Sequence, residues 1–330
     1  MVITRTPYRL SLFGGGTDYP AWFRDHGGAV LAASITRYCY LTCRYLPPFF
    51  AHRSRIVYSQ IELVREVSEI QHPAVRAVLE TLGISDGVEI HHDGDLPART
   101  GIGSSSSFTV GLIHALRALQ GTLPTPRELA REAIHVEQHV LREAVGCQDQ
   151  IVAAVGGLMR IDFSAEDDWT VRALALPVDQ QAAFESHLRL YYSGDARTAS
   201  TFAAQQLDRL SSITPELHAL QAMVPEAETL MRAGDWPAFG KLLDESWQIK
   251  RRLTPAVTTS AVDAIYDAAL RAGAWGGKLM GAGGGGFMVI CAPPDRHAAI
   301  RAALPHVLEV PFSIDKAGSQ VLVFEPEPRP

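Results

Sequence analysis

Seven of the eleven residues from Gly276 to Gly286 are glycine, within GGKLMGAGGGGFMVICA (276–292). Glycine loses more conformational freedom on folding than any other residue. Such a run therefore demands a reason, and the physical one is close approach of its backbone to a ligand or to another loop. Gly281, Gly283 and Gly286 spell G-x-G-x-x-G. A dinucleotide fingerprint needs a strand before that pattern and a helix after it. Here a strand-like run, Phe287–Cys291, follows instead, so the Rossmann reading is rejected. No G-x-x-x-x-G-K-[ST] occurs either, so there is no Walker loop.

A second segment, LPARTGIGSSSSFTVGLIHAL (96–116), leads two glycines into four serines and then an apolar helix. Gly101 and Gly103, flanking Ile102, let the backbone bend toward a ligand. Ser104, Ser105, Ser106 and Ser107 fall where the unpaired N–H groups of a helix start point outward. That end carries partial positive charge and favours an anion such as a nucleotide phosphate. Serine hydroxyls also suit Mg²⁺, which takes oxygen ligands and keeps several waters. A plain helix cap is the bland alternative.

A third segment, TPYRLSLFGGGTDY (6–19), runs a strand into three glycines and then Thr17 and Asp18. A carboxylate just past a glycine turn is placed to accept hydrogen bonds from substrate hydroxyls. Arg9, Ser11 and Phe13 share one face of the strand by parity.

Around these segments the pattern predicts strands at Tyr8–Phe13, Ala29–Ile35, Arg37–Leu46, Val88–His92, Gly157–Phe163, Gly286–Cys291 and Gln320–Phe324. Helices are expected at Pro73–Leu82, from the serines to Leu119, at Pro126–Arg142, and over about 197–211, 215–233, 236–252 and 258–272. Strands and helices mix without strict alternation, which predicts an α+β chain. Length suggests two domains, divided here as 1–183 and 184–330.

The net charge of −6 lacks the basic excess of a nucleic-acid surface. Four scattered cysteines make no disulfide framework, and no apolar run approaches the ~20 residues that span a bilayer. A reducing cytoplasm is the expected location, with no membrane partner. His135 and His139 stand four apart, but Val136 occupies the place a zinc-peptidase pattern reserves for Glu.

In order and spacing, PYRLSLFGGGTDY, LPARTGIGSSSSF and KLMGAGGGGF resemble the three motifs of the GHMP kinases, the superfamily of galactokinase, homoserine kinase and mevalonate kinase. The resemblance implies an N-terminal domain like ribosomal protein S5 domain 2, a ferredoxin-like C-terminal domain and an active site in the cleft between them. It implies ATP bound by Gly101–Ser107, and Mg²⁺ held by Ser105 and by Glu137 of HVEQHVLRE (135–143). It makes Asp149, in GCQDQ (146–150), the carboxylate facing the substrate hydroxyl, with Arg9 beside it. Gly15, Gly16, Thr17, Asp18, Gly283 and Gly284 are implied substrate contacts.

The segments HHDGDLPARTGIGSSSSFTVGL, GCQDQIVAAVGG and YYSGDARTAS (191–200) further resemble kinases of D-glycero-α-D-manno-heptose 7-phosphate. A phosphorylated sugar needs cations, and Arg197, after a glycine turn, is the candidate; Lys250, Arg251 and Arg252 are others. Gly15-Gly16 stand where galactokinases carry Glu-His, which disfavours galactose. A fucokinase-like or other anomeric sugar kinase is the alternative, and a non-catalytic sugar sensor the remote one. Oligomeric state is not readable from the chain.

Overall fold

The structure is a computed structural model that describes residues 1–194, 212–254 and 257–325. Arg197 and the helix expected over 197–211 lie outside the described residues.

The chain is α+β, as the mixed pattern predicts. Strand β1 (Val2–Phe13) alternates in burial at its start and is buried on both faces from Thr6 onward. The second expected strand pair proves to be one strand, β2 (Gly28–Tyr45). The break expected between Ile35 and Arg37 does not occur: the backbone stays extended through Thr36 because β2 serves two partners along one edge. Its first half pairs with β6 (Leu158–Phe163) and its second with β5 (Val88–Gly94), while β1 pairs along the other edge. Two short strands, β3 (Ser54–Val57) and β4 (Ile61–Val64), extend the sheet beyond β5, and β7 (Trp169–Ala173) pairs with β6.

On this sheet lie α3 (Ser104–Leu119) and α5 (Gln148–Val155). The long helix expected over 126–142 is α4 (Pro126–His135), followed by a π-helical turn at Val136–Val140. Thr125 caps α4 with a reciprocal Glu128 bond, and Pro126 opens it. Earlier come the short α1 (Pro20–His26) and α2 (Pro73–Thr81).

The second half builds an antiparallel sheet in the order β11-β8-β10-β9: Leu308–Val310, Leu188–Tyr192, Phe287–Cys291 and Gly276–Leu279. Its helices are α6 (Val178–His187), α7 (Thr214–Ala233), α8 (Trp236–Leu253), α9 (Ser260–Arg271) and α10 (His297–Ala303). The division placed at 183/184 falls inside α6, and the last strand, β12 (Gln320–Phe324), returns to pair with β1. One apolar core runs through both halves, from Leu10 and Phe13 to Phe239, Met280 and Phe287. Phe13 meets Phe239 of α8 edge to face at 5.4 Å. Truncating a buried phenylalanine costs about 3–5 kcal/mol, so contacts of this kind fix the two halves against each other. No helix among the described residues is long and apolar enough to cross a membrane.

Candidate active site

The three glycine segments meet at one place. A Cβ on Gly101 would lie 2.4 Å from the Met280 carbonyl oxygen, and one on Gly281 would lie 2.3 Å from Gly101 Cα. Both residues have positive φ. Gly281 and Gly286 are thus explained by loop meeting loop, backbone against backbone, whereas Gly276 packs on the Gly240 carbonyl of α8 and Gly277 on the neighbouring strand β10. Phe287 N–H closes the contact on the Thr100 carbonyl at 3.1 Å, and Arg9 N–H reaches the Ile102 carbonyl at 3.0 Å. Gly284 N–H bonds the Val257 carbonyl at 3.0 Å, and Gly283 packs on the same residue.

Arg9 of β1 and Asp149, in the first turn of α5, form a two-pronged ion pair. Nε donates to Oδ1 and Nη2 to Oδ2, each at 2.7 Å, while Nη1 donates to the Gly101 carbonyl. The guanidinium is buried, whereas the Asp149 side chain keeps 26% exposure. One carboxylate is therefore held rigidly yet remains open to a substrate, beside Gly103, whose Cα hydrogen face lies against both residues. Ser11, on Arg9's face as parity predicts, donates to Gln148 Oε1 at 3.0 Å.

The turn at Gly15-Gly16 is self-bonded. The Thr17 hydroxyl donates to the Gly14 and Ala29 carbonyls. Asp18 Oδ1 accepts from Gly16 N–H at 3.0 Å and Oδ2 from Gln148 N–H at 3.2 Å. Burial, then the Asp149 charge, push the Asp18 carboxyl above its ordinary range. Gly146 is required here by space alone: a Cβ would fall 1.9 Å from Asp18 Oδ2.

The four serines separate by role. Ser104 Oγ accepts from Arg99 N–H, and Ser107 Oγ donates to the Pro7 carbonyl, tying α3 to β1. Ser105 is exposed. Ser106 Oγ donates to Glu137 Oε2 at 2.8 Å, and Gln150 Nε2 donates to the same oxygen. It is thus Ser106, not its neighbour Ser105, that meets Glu137. Glu137 is wholly buried on the π-helical turn, and its Oε1 has no partner. Turns of this kind recur at functional sites.

Desolvation pushes the Glu137 carboxyl up to about 7, against the bonds from Ser106 and Gln150. The native state therefore holds a proton that the unfolded chain releases near pH 4–5. Metal-free protein should lose stability as pH rises from about 4.5 through 7. Glu137→Gln should remove that loss, so its Tm advantage over the wild type grows from pH 5 to pH 8. A constant Tm difference across that range would remove the buried proton.

Two lysines complete the site. Lys278 of β9 donates to the Leu12 carbonyl at 2.9 Å; Lys250 of α8 donates to the Leu279 carbonyl at 2.8 Å and to that of Gly281. Lys250 was among the sequence candidates for a phosphate. Lys278 was not, although it is one of four lysines and lies inside the third motif.

A strand-borne arginine, a helix-borne aspartate and a glycine-serine helix start, framed by two sheets, define a class. A family model described as the GHMP kinases N terminal domain matches residues 65–157, and one described as GHMP kinases C terminal matches 227–310. Between them they take in more than half of the chain, which belongs to the GHMP kinases, phosphotransferases with an alcohol acceptor that use ATP.

Among curated relatives, the D-glycero-alpha-D-manno-heptose 7-phosphate kinase of Campylobacter jejuni is 26% identical, over 91% of this chain and 92% of its own. The L-fucokinase/L-fucose-1-P guanylyltransferase of Bacteroides fragilis is 25% identical over 90% of this chain, which spans only 35% of that protein. A solved D-glycero-D-manno-heptose 1-phosphate kinase from Bacteroides thetaiotaomicron superimposes with a TM-score of 0.81 at 22% identity, covering 98% of this chain and 100% of its own. At that identity the likeness speaks for the fold.

Proposed function

We propose that this kinase transfers the γ-phosphoryl group of ATP to the C1 hydroxyl of D-glycero-D-manno-heptose 7-phosphate. The product would be the 1,7-bisphosphate, a precursor of nucleotide-activated heptose. The observation that carries the chemistry is the Arg9–Asp149 pair, rigid and with its carboxylate partly exposed, beside the N-terminus of α3. The acceptor rests on the likeness to the Campylobacter heptose kinase over nine-tenths of both chains.

Phosphoryl transfer asks mainly for positioning and charge neutralisation. Main-chain N–H groups at the start of α3 receive the nucleotide phosphates. Asp149 accepts the proton of the acceptor hydroxyl, and Arg9 fixes both carboxylate oxygens so that the hydroxyl is aimed at phosphorus. Gly15 faces the sugar, while Gly16, Thr17 and Asp18, expected as substrate contacts, are buried and support the turn from behind; Gly283 and Gly284 lie on the facing loop, and Arg197 is the candidate for the 7-phosphate.

The residues present also fit Mg²⁺. Glu137 offers a buried carboxylate oxygen with no protein partner, next to the Ser106 hydroxyl. One carboxylate, a hydroxyl and nucleotide oxygens are the donor set that this cation prefers. Glu137 would hold it with Ser106 or Ser105, and when bound it neutralises phosphate charge.

The test is a panel of sugars and sugar phosphates with ATP and Mg²⁺, the phosphorylated carbon read by phosphorus NMR. Heptose 7-phosphate should react at C1 with the highest kcat/KM. Preferred turnover of fucose would move the assignment to the fucokinase-like alternative.

A further inference from the structure

We propose that Lys278 and Lys250, together with Arg9, form a cation pocket that contacts the γ-phosphoryl group while it passes from nucleotide to acceptor, making both lysines catalytic residues. The proposal rests on the kinase reading and deepens it.

The geometry supplies the argument. Lys278 is 4% exposed, and its ammonium, which carries three donors, has the Leu12 carbonyl as its bonded protein partner. Lys250 has the Leu279 and Gly281 carbonyls. Among the described residues neither ammonium has a carboxylate within ion-pair distance, whereas Arg9 has Asp149. Buried cations without counter-charge are costly unless something repays them, and carbonyl dipoles repay only part. Burial and then the Arg9 charge push the Lys278 ammonium down to about 7. Burial, then Lys278, then Arg9 hold Lys250 well below its ordinary value. Three mutually repelling cations on β1, α8 and β9 suit an anion that arrives with the substrates.

Position selects which anion. Lys250 bonds the Gly281 carbonyl, Gly281 packs on Gly101, and the Gly101 carbonyl takes Arg9 Nη1. The cations therefore underlie the junction between the start of α3 and Asp149. The group that must cross this junction is the γ-phosphoryl. A phosphate carried by the acceptor itself would lie at the far end of the sugar from the reacting hydroxyl. In the transfer, the bond from phosphorus to the β,γ-bridging oxygen breaks and its electrons stay on ADP. The bond to the acceptor oxygen forms, and the acceptor's proton goes to Asp149. The lysines only donate hydrogen bonds, which strengthen as charge gathers on the phosphoryl oxygens.

Calorimetry without acceptor tests this, comparing Mg·ATP with Mg·ADP. Lys278→Met and Lys250→Met should each weaken ATP about tenfold or more, with ADP held within about twofold, because only ATP carries the γ-group. Equal losses for both nucleotides would mean that the lysines merely join β9 to β1, and would overturn the proposal. So would a loss confined to sugar affinity. The unmodified protein gives an independent reading should a variant fail to fold. Burial and repulsion among the three cations lower both Lys278 and Lys250, so at pH 8 ATP should draw protons from buffer on binding and ADP almost none. Equal uptake for the two would also overturn it. Turnover of ATP by the wild type with any acceptor checks the kinase reading separately, so the two can fail independently.

Discussion

Asp149→Asn is expected to lower kcat by about 10²–10⁴-fold while the Kd for Mg·ATP stays within about threefold. The substitution keeps the shape of the side chain and removes its charge. What is lost is an interaction made as the acceptor oxygen bonds to phosphorus, so the loss should fall on kcat rather than on nucleotide affinity. The present geometry adds a second consequence. Arg9 offers two N–H donors to the two Asp149 oxygens, and an amide can accept at only one of its two ends. The buried guanidinium then lacks its counter-charge, at a cost on the order of 3 kcal/mol. Tm should therefore fall, and kcat must be compared well below the variant's transition. Near-normal turnover in the folded variant would remove Asp149 from the catalytic role.

What could be read in the chain beforehand followed physical periodicity. Helix α3 announced itself through Gly103, the serines and an unbroken apolar stretch, and Arg9 and Ser11 through strand parity. What escaped depends on distant partners. Strand β9 reads GGKL, a run with little β preference, and is a strand because Lys278 and Leu279 pair with Val289 and Met288. Strands β3 and β4 are four residues each, too short for alternation to register. The unity of β2 rests on β5 and β6 sharing its edge, a fact of topology rather than of local pattern.

The site divides the same way. Glu137 was recognisable by resemblance, yet the π-helical turn that buries it and the Gln150 amide that meets it came only with the fold. Choosing Ser106 over Ser105 required knowing which way each hydroxyl turns at the start of α3. Lys278 carried one faint signal, its rarity as a lysine inside a glycine run. Its burial beside Arg9 is a property of two sheets packed together.

Gly101→Ala should damage both the stability and the activity of the protein. Gly101 has φ +84, a conformation that costs an L side chain about 1–2 kcal/mol. The added Cβ would also stand 2.4 Å from the Met280 carbonyl oxygen and 3.2 Å from Gly281 N, backbone atoms that cannot swing aside as a side chain can. Overpacking of that kind adds about 1–3 kcal/mol, so a total loss of about 2–5 kcal/mol is expected. The damage is not confined to stability. The Gly101 carbonyl receives Arg9 Nη1, and the next carbonyl, that of Ile102, receives Arg9 N–H. A loop pushed away from Gly281 carries Arg9 with it, and Asp149 follows through the ion pair, so kcat/KM should fall about 100-fold or more, as displacements near 1 Å do. Gly121→Ala is the matched control. Its φ is +81, almost the same backbone, but nothing lies within 4 Å of its Cβ position. It should lose only the 1–2 kcal/mol of backbone strain, about the amount expected from φ alone, and keep its activity. Denaturant unfolding and steady-state kinetics on both variants decide the matter. If Gly101→Ala proves as mild as Gly121→Ala, the loop-to-loop contact does not hold the site together.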